Sequence, residues 1–230
     1  MDNSLLAYVT KYDTQGYGLE FPDGHVIRFY ERILNFALNK TSGNLLDFGC
    51  GNGVHSKYFA KRSGGGGIRP FGIDIVPSLE QIWRDDELIC EKDFHIIEPN
   101  SSFSHLFDEK MDFIFANQSL YYLNNQNFNS TIKELYNLCN DGAIIFATMM
   151  ASECYDLYEK SKPLPNGLTH IQGTPTNRMS ENSYIRFTHS IEELKSDFSL
   201  FEPLYWGDYT PINLYNFEGS SRHFIFIGRK

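Results

Sequence analysis

Four residues spaced two apart, Asp47, Gly49, Gly51 and Gly53, follow the apolar pair Leu45-Leu46 and carry the clearest chemical signal in the chain. A carboxylate followed by alternating glycines suits a strand-to-helix turn whose bare backbone a ligand can approach, because glycine has no side chain to hold it off and tolerates positive φ. A second carboxylate, Asp74, ends the run Phe71-Gly72-Ile73-Asp74-Ile75, where it could accept hydrogen bonds from the ribose hydroxyls of a nucleoside. The dinucleotide fingerprint Gly-x-Gly-x-x-Gly would need glycine where this chain has Val54, which argues against a nicotinamide cofactor. Gly64 to Gly67 form no phosphate loop, since no Gly-Lys-Ser/Thr follows them.

Strands alternating with helices must position these residues, and the hydrophobic pattern supplies them. Val26, Phe29, Ile33, Phe36 and Ala37 recur at helical spacing and predict an amphipathic helix over residues 25–38. Strands are expected over 45–48, 71–75, 88–91, 111–116 and 143–148, with helices over 54–62, from Pro77 through Leu79, Ile82 and Trp83, and over 127–139. Residues 152–185 hold Pro163, Pro165, Gly167, Gly173 and Pro175 with little periodicity and read as an inserted loop region. The capping box Ser190-Ile191-Glu192-Glu193 opens a further helix, and residues 201–209 and 222–228 read as a closing hairpin. The alternation indicates an α/β, doubly wound, mostly parallel sheet with helices on both faces.

At 230 residues, 41% hydrophobic, the chain suits a single domain, with residues 1–24 as an N-terminal arm and 152–186 as an inserted region on the acceptor side. A net charge of −9 without a Lys/Arg cluster argues against a nucleic-acid partner, whose affinity would rest on phosphate neutralisation. No apolar run approaches the ~20 residues of a spanning helix, and the start Met1-Asp2-Asn3-Ser4 lacks a secretory pattern. A cytoplasmic protein with no membrane partner is expected. Cys50, Cys90, Cys139 and Cys154 are widely spaced and read as reduced thiols, and no metal site is expected.

The motif Asp47-x-Gly49-x-Gly51-x-Gly53 resembles motif I of the class I S-adenosylmethionine-dependent methyltransferases, and the resemblance continues through most of the chain. It implies S-adenosyl-L-methionine as methyl donor, S-adenosyl-L-homocysteine as product, and a seven-stranded sheet ending in an antiparallel hairpin. On it, Asp47, Gly49, Cys50, Gly51 and Gly53 belong to the donor turn, Asp74 binds the ribose hydroxyls and Ile75 packs on the adenine. Glu91-Lys92-Asp93-Phe94 resembles the third motif, with Asp93 accepting from the adenine amino group, and residues 111–123 resemble the fourth-strand motif, with Asn117 facing the donor. The turn Asn140-Asp141-Gly142 departs from the family's usual Pro-Gly-Gly.

Acceptor identity is expected to reside in the arm and the insertion, with Tyr17, Tyr121, His170, Arg178 and Arg186 as candidate acceptor contacts and Tyr121 or His170 as candidate catalytic groups. His55 reads as a solvated helix start. The expected reaction is O- or N-methylation of a small polar molecule such as a sugar, a phosphate-containing compound or a surface-polysaccharide precursor, in the manner of stand-alone bacterial enzymes. The alternatives are a catalytically inactive donor-binding subunit and a polyamine-synthase-like transferase on the same scaffold.

Overall fold

The computed structural model describes residues 20–88, 90–152, 161–171, 183–210 and 222–230. Tyr17 and Arg178, two of the expected acceptor contacts, lie outside the described residues. The chain enters through α1 (Gly24–Arg28), which continues with wider π-type bonding over Phe29–Ala37. Val26, Phe29, Tyr30 and Leu34 bury one face of this helix and leave Phe36 in solvent.

Strand β1 (Gly43–Phe48) feeds α2 (Val54–Ser63), and β2 (Ile68–Asp74) feeds α3 (Leu79–Arg84). Then come β3 (Phe94–Ile96), β4 (Met111–Ala116), α4 (Asn125–Leu138) and β5 (Cys139–Met150). Short strands β6 (Ser161–Pro163), β7 (Thr169–Ile171) and β8 (Tyr184–Ile185) precede α5 (Ile191–Asp197), β9 (Glu202–Tyr209) and β10 (His223–Arg229).

The main sheet has seven strands in the order β3-β2-β1-β4-β5-β10-β9. Strands β1 to β5 pair in parallel, and β10 runs antiparallel to both its neighbours. The winding reverses between β1 and β4, which opens a crevice beyond the carboxyl ends of those two strands. Period-two alternation divides the core between the two faces. Leu45, Phe113, Phe115 and Phe146 meet α1 and Phe59 of α2 on one face, while Leu46, Ile114, Ala116 and Ile145 meet Phe128 of α4 and Leu194 of α5 on the other. Each fully buried large apolar side chain contributes about 1.5–3 kcal/mol, so the crevice rests on a stiff floor.

Three expectations are corrected. The third strand is Phe94–Ile96 and not residues 88–91, because Phe94 pairs with Gly72 and lays its ring in the space that glycine leaves, whereas Leu88 stays half exposed. Helix α4 passes into β5 already at Cys139, with a register irregularity between Met111 and Phe113 that absorbs the turn at Gly142. The described part of the insertion is ordered as the three-stranded antiparallel sheet β6-β7-β8 rather than a loop, and the Arg186 N–H ties it to the Tyr121 carbonyl at 2.7 Å.

Candidate functional site

The glycine turn is built from backbone. Gly49, Gly51 and Gly53 sit at φ 73°, 54° and 72°, a region costly to residues with a Cβ. The amides of Gly49 and Cys50 both donate to the Ile73 carbonyl at 2.9 and 3.1 Å, locking the turn to β2. A Cβ on Gly49 would lie 2.6 Å from Cβ of Ser119, so the loop after β4 can approach only because that residue is glycine. Trp83, read from sequence as an apolar helix position, donates its indole N–H to the Gly51 carbonyl at 2.9 Å.

Asp74 accepts from the amides of Gly51 (2.9 Å), Ile75 (2.7 Å) and Val76 (3.1 Å). Of a carboxylate's roughly four acceptor positions three are engaged, and the remaining one is on Oδ2, the oxygen that faces Gly51. Burial raises its pKa against those three donors. Asp47, inside β1, accepts from the Ser56 hydroxyl at 2.6 Å and is pushed by burial to about 7. Neither carboxylate meets a Lys or Arg among the described residues.

Beyond the end of β4, Asn117 joins groups from three other places in the chain. Its Oδ1 accepts from Nε2 of His25 at 2.9 Å, and its Nδ2 donates to Nε2 of His55 at 3.2 Å and to Asp23 at 3.3 Å. The Thr148 hydroxyl also faces Oδ1 and accepts from the Gln118 amide. Gln118 itself holds the left-handed φ of 55° and reaches the Tyr209 hydroxyl at 3.0 Å. His25 stacks on Tyr209 at 3.9 Å, Tyr209 on His223 at 5.2 Å, and Tyr121 stands 5.6 Å from His223, forming a wall of rings. Desolvation lowers the pKa of His25 and takes His55 to about 4, so both rings are neutral at neutral pH.

The expected residues divide accordingly. Cys50 is buried with Phe94, Trp83, Leu79 and Val76, its thiol pushed up by burial, and Ile75 packs at the edge of the same cluster. Asp93 lies before β3, not after it, and receives both forks of Arg69 at 3.0 and 2.7 Å, so its assignment to the adenine group is corrected to a structural ion pair. Arg186 is likewise spent: it is 9% exposed, binds Asp197 bidentately at 2.7 Å and lies over the Phe128 ring. It is not available to an anionic acceptor. His170 stacks on Tyr184 within the small sheet, and Tyr121 joins the ring wall. His55 is buried, not solvated. Sequence reasoning missed His25, Asp23, Gln118, Thr148 and Tyr209; the pair Asp23 and His25 at a helix start was the one local sign of them.

This arrangement fits a nucleoside donor bearing positive charge. The glycine cradle is bare, Asp47 and Asp74 lack a counterion, and the buried Nδ1 of His55 and Oγ of Ser119 have no hydrogen-bond partner. Among the described residues no group of three or more His, Cys, Asp or Glu is placed to hold a metal, and no helix is long and apolar enough to cross a membrane.

The methyltransferase domain family matches residues 23–198. No protein of curated function matches in sequence. Among solved structures, a S-adenosylmethionine-dependent methyltransferase from Methanosarcina mazei aligns at 18% identity over 83% of this chain and 93% of its own, with a TM-score of 0.62. The 1,6-didemethyltoxoflavin-N1-methyltransferase of Burkholderia thailandensis, with 1,6-didemethyltoxoflavin and S-adenosylhomocysteine bound, aligns at 15% identity over 98% and 86%, TM-score 0.66. The N-methyltransferase NodS of Bradyrhizobium japonicum, in complex with S-adenosylhomocysteine, aligns at 12% identity over 100% and 99%, TM-score 0.61.

Proposed function

The chain belongs to the methyltransferase domain family, and from that premise we propose that it transfers the methyl group of S-adenosylmethionine to a small polar acceptor bearing a removable proton, a hydroxyl or an N–H. The observation that carries this reading is the His25–Asn117 contact beside the glycine turn. Because Asn117 Oδ1 accepts from Nε2, the neutral His25 ring keeps its lone pair on Nδ1, a nitrogen that no hydrogen bond among the described residues engages.

The donor supplies a methyl group activated on sulfonium sulfur. The glycine turn and Asp74 hold the nucleoside half, and Asn117 sets the His25 ring. Nδ1 of His25 takes the acceptor's proton as its oxygen or nitrogen gains the methyl, while the ring wall of Tyr209, His223 and Tyr121 excludes water from that side. Two structural neighbours named as N-methyltransferases, one of them holding 1,6-didemethyltoxoflavin, support a small acceptor by fold analogy. With Arg186 committed to Asp197, a specifically anionic acceptor has no support from that residue. The free buried thiols of Cys50 and Cys139 support a reducing compartment.

The test is turnover of S-adenosylmethionine to S-adenosylhomocysteine across a panel of sugars, phenols, amines and N-heterocycles. His25→Gln should lower kcat on any acceptor that is used by ~100-fold or more and leave donor affinity unchanged. Donor binding without turnover of any panel member would favour the inactive-subunit reading.

A further inference from the structure

Gln118 is out of place by its backbone. Among the described residues, three that are not glycine hold a left-handed φ: Asn39, Asn100 and Gln118. Asparagine tolerates that region because its short side chain can bond locally, whereas glutamine gains nothing there. Such strain persists only where the surroundings impose it. Here they are the Thr148 hydroxyl, which accepts from the Gln118 amide at 2.7 Å, and the Tyr209 hydroxyl, which accepts from its side-chain Nε2 at 3.0 Å. The strained turn just past β4 thus aims a side chain at the last residue of β9, 91 residues on.

What the Tyr209 ring touches gives this contact its meaning. It stacks on His25 with centroids 3.9 Å apart and planes 24° apart, while Phe146 lies near-parallel to the same imidazole at 6.3 Å. The bond from Nε2 to Asn117 does not fix that ring by itself. An imidazole attached at Cγ and held at Nε2 can still turn about the line joining those two atoms, and Nδ1 lies off that line and swings. A ring laid on the imidazole face stops the swing. We propose that Gln118 and Tyr209 form a clamp that fixes the plane of the His25 ring, and with it the direction of the Nδ1 lone pair, which makes both of them positioning residues for the methyl transfer. This role rests on the reading of His25 as the base. Direction matters because a base must meet its proton within hydrogen-bond reach, and a misplacement of about 1 Å can cost ~100-fold in rate.

Two substitutions release the clamp from opposite sides. Tyr209→Phe keeps the stacked ring and deletes its hydroxyl, and Gln118→Gly deletes the amide that holds it. Each should lower kcat on any acceptor that is used by ~10-fold and leave acceptor KM and S-adenosylhomocysteine affinity within about twofold, and the double variant should match the single ones because both break one contact. Gln118→Gly should not lower the thermal unfolding midpoint, since glycine takes the left-handed φ freely. A second readout needs no acceptor. Burial holds the His25 imidazole below its ordinary pKa, and loosening Tyr209 admits water, so an NMR titration should find it higher in both variants than in the unmodified chain. The other groups facing that ring, Asp23, Arg28 and His55, with His223 behind Tyr209, are the same in all three. Unchanged kcat or an unchanged His25 titration in the variants would overturn the clamp while a ~100-fold loss in His25→Gln still upheld the base. Additive losses in the double variant, or a lowered midpoint with weakened donor binding in Gln118→Gly, would overturn it as well and leave a structural contact. Unchanged kcat in His25→Gln overturns base and clamp together.

Discussion

The two ends of the parallel sheet treat their carboxylates in opposite ways. Where the strands begin, Asp93 receives both forks of Arg69, and Asp112 accepts from the Asn44 amide and the Asn140 side chain, each at 2.9 Å. Where the strands finish, Asp47 and Asp74 are 2% and 8% exposed, meet a hydroxyl or backbone amides, and have no cation beside them among the described residues, so burial raises both. Removing a carboxylate from water without a counterion is expensive, and a fold shaped for stability alone would pair it with a cation as Arg69 pairs Asp93, or leave it part-exposed as Asp112 is. On the proposed reading, the second end holds that cost in reserve for a ligand carrying sulfonium and ammonium charge.

The largest expected effect follows from Asp47, raised from 3.8 to about 7. Between those values the folded chain holds a proton that the unfolded chain has released. Stability therefore falls as pH rises from about 4 to about 7 and is flat above, by at most ~4 kcal/mol. Asp47→Asn keeps an acceptor for Ser56 and cannot ionise. Urea unfolding should find it more stable than the parent at about pH 8, with the two converging near pH 4. Parallel stability curves would show that Asp47 is not strained by ionisation and would erase the contrast between the ends.

Next in size is the donor's dependence on the two ends. Asp74→Ala should cost about 2–3 kcal/mol of donor affinity in a calorimetric titration, because it removes the proposed ribose acceptor and unpins the Gly51 amide, whereas Asp112→Ala should cost none. Equal losses would place the ligand elsewhere than the crevice between β1 and β4.

The smallest effect is expected at Gly142, near the beginning of the strands. Its φ of 76° is left-handed but its surroundings are open, so Gly142→Ala should cost only about 1–2 kcal/mol of stability. The same substitution at Gly49, with a similar φ of 73°, adds the clash with Ser119 and should cost more and also weaken donor binding. Thermal unfolding of the two variants side by side measures how much of the donor turn is close approach and how much is backbone strain.

Legibility in the sequence followed the range over which each feature is decided. The glycine turn and Asp74 could be read because a turn's φ values and a strand end's carboxylate are written in a few contiguous residues. So could the two-faced sheet, since alternation along β1 and β4 assigns Leu45 and Phe113 to one face and Leu46 and Ile114 to the other. Asp93 was misplaced because β3 is only three residues long and its position is chosen by Phe94 filling the hollow over Gly72, a partner 22 residues away. Arg186 looked like a surface cation until Asp197 and the Phe128 ring enclosed it.

By itself, the order of residues determined the α/β winding and the glycine turn, because these depend on local backbone freedom and periodic burial. Only the tertiary structure decided the chemistry around that turn. Asn117 meets His25 across 92 residues and His55 across 62, and nothing local to any of the three assigns a proton to one ring nitrogen rather than the other. A distant partner does so for His25, because only a proton on Nε2 meets Oδ1 of Asn117.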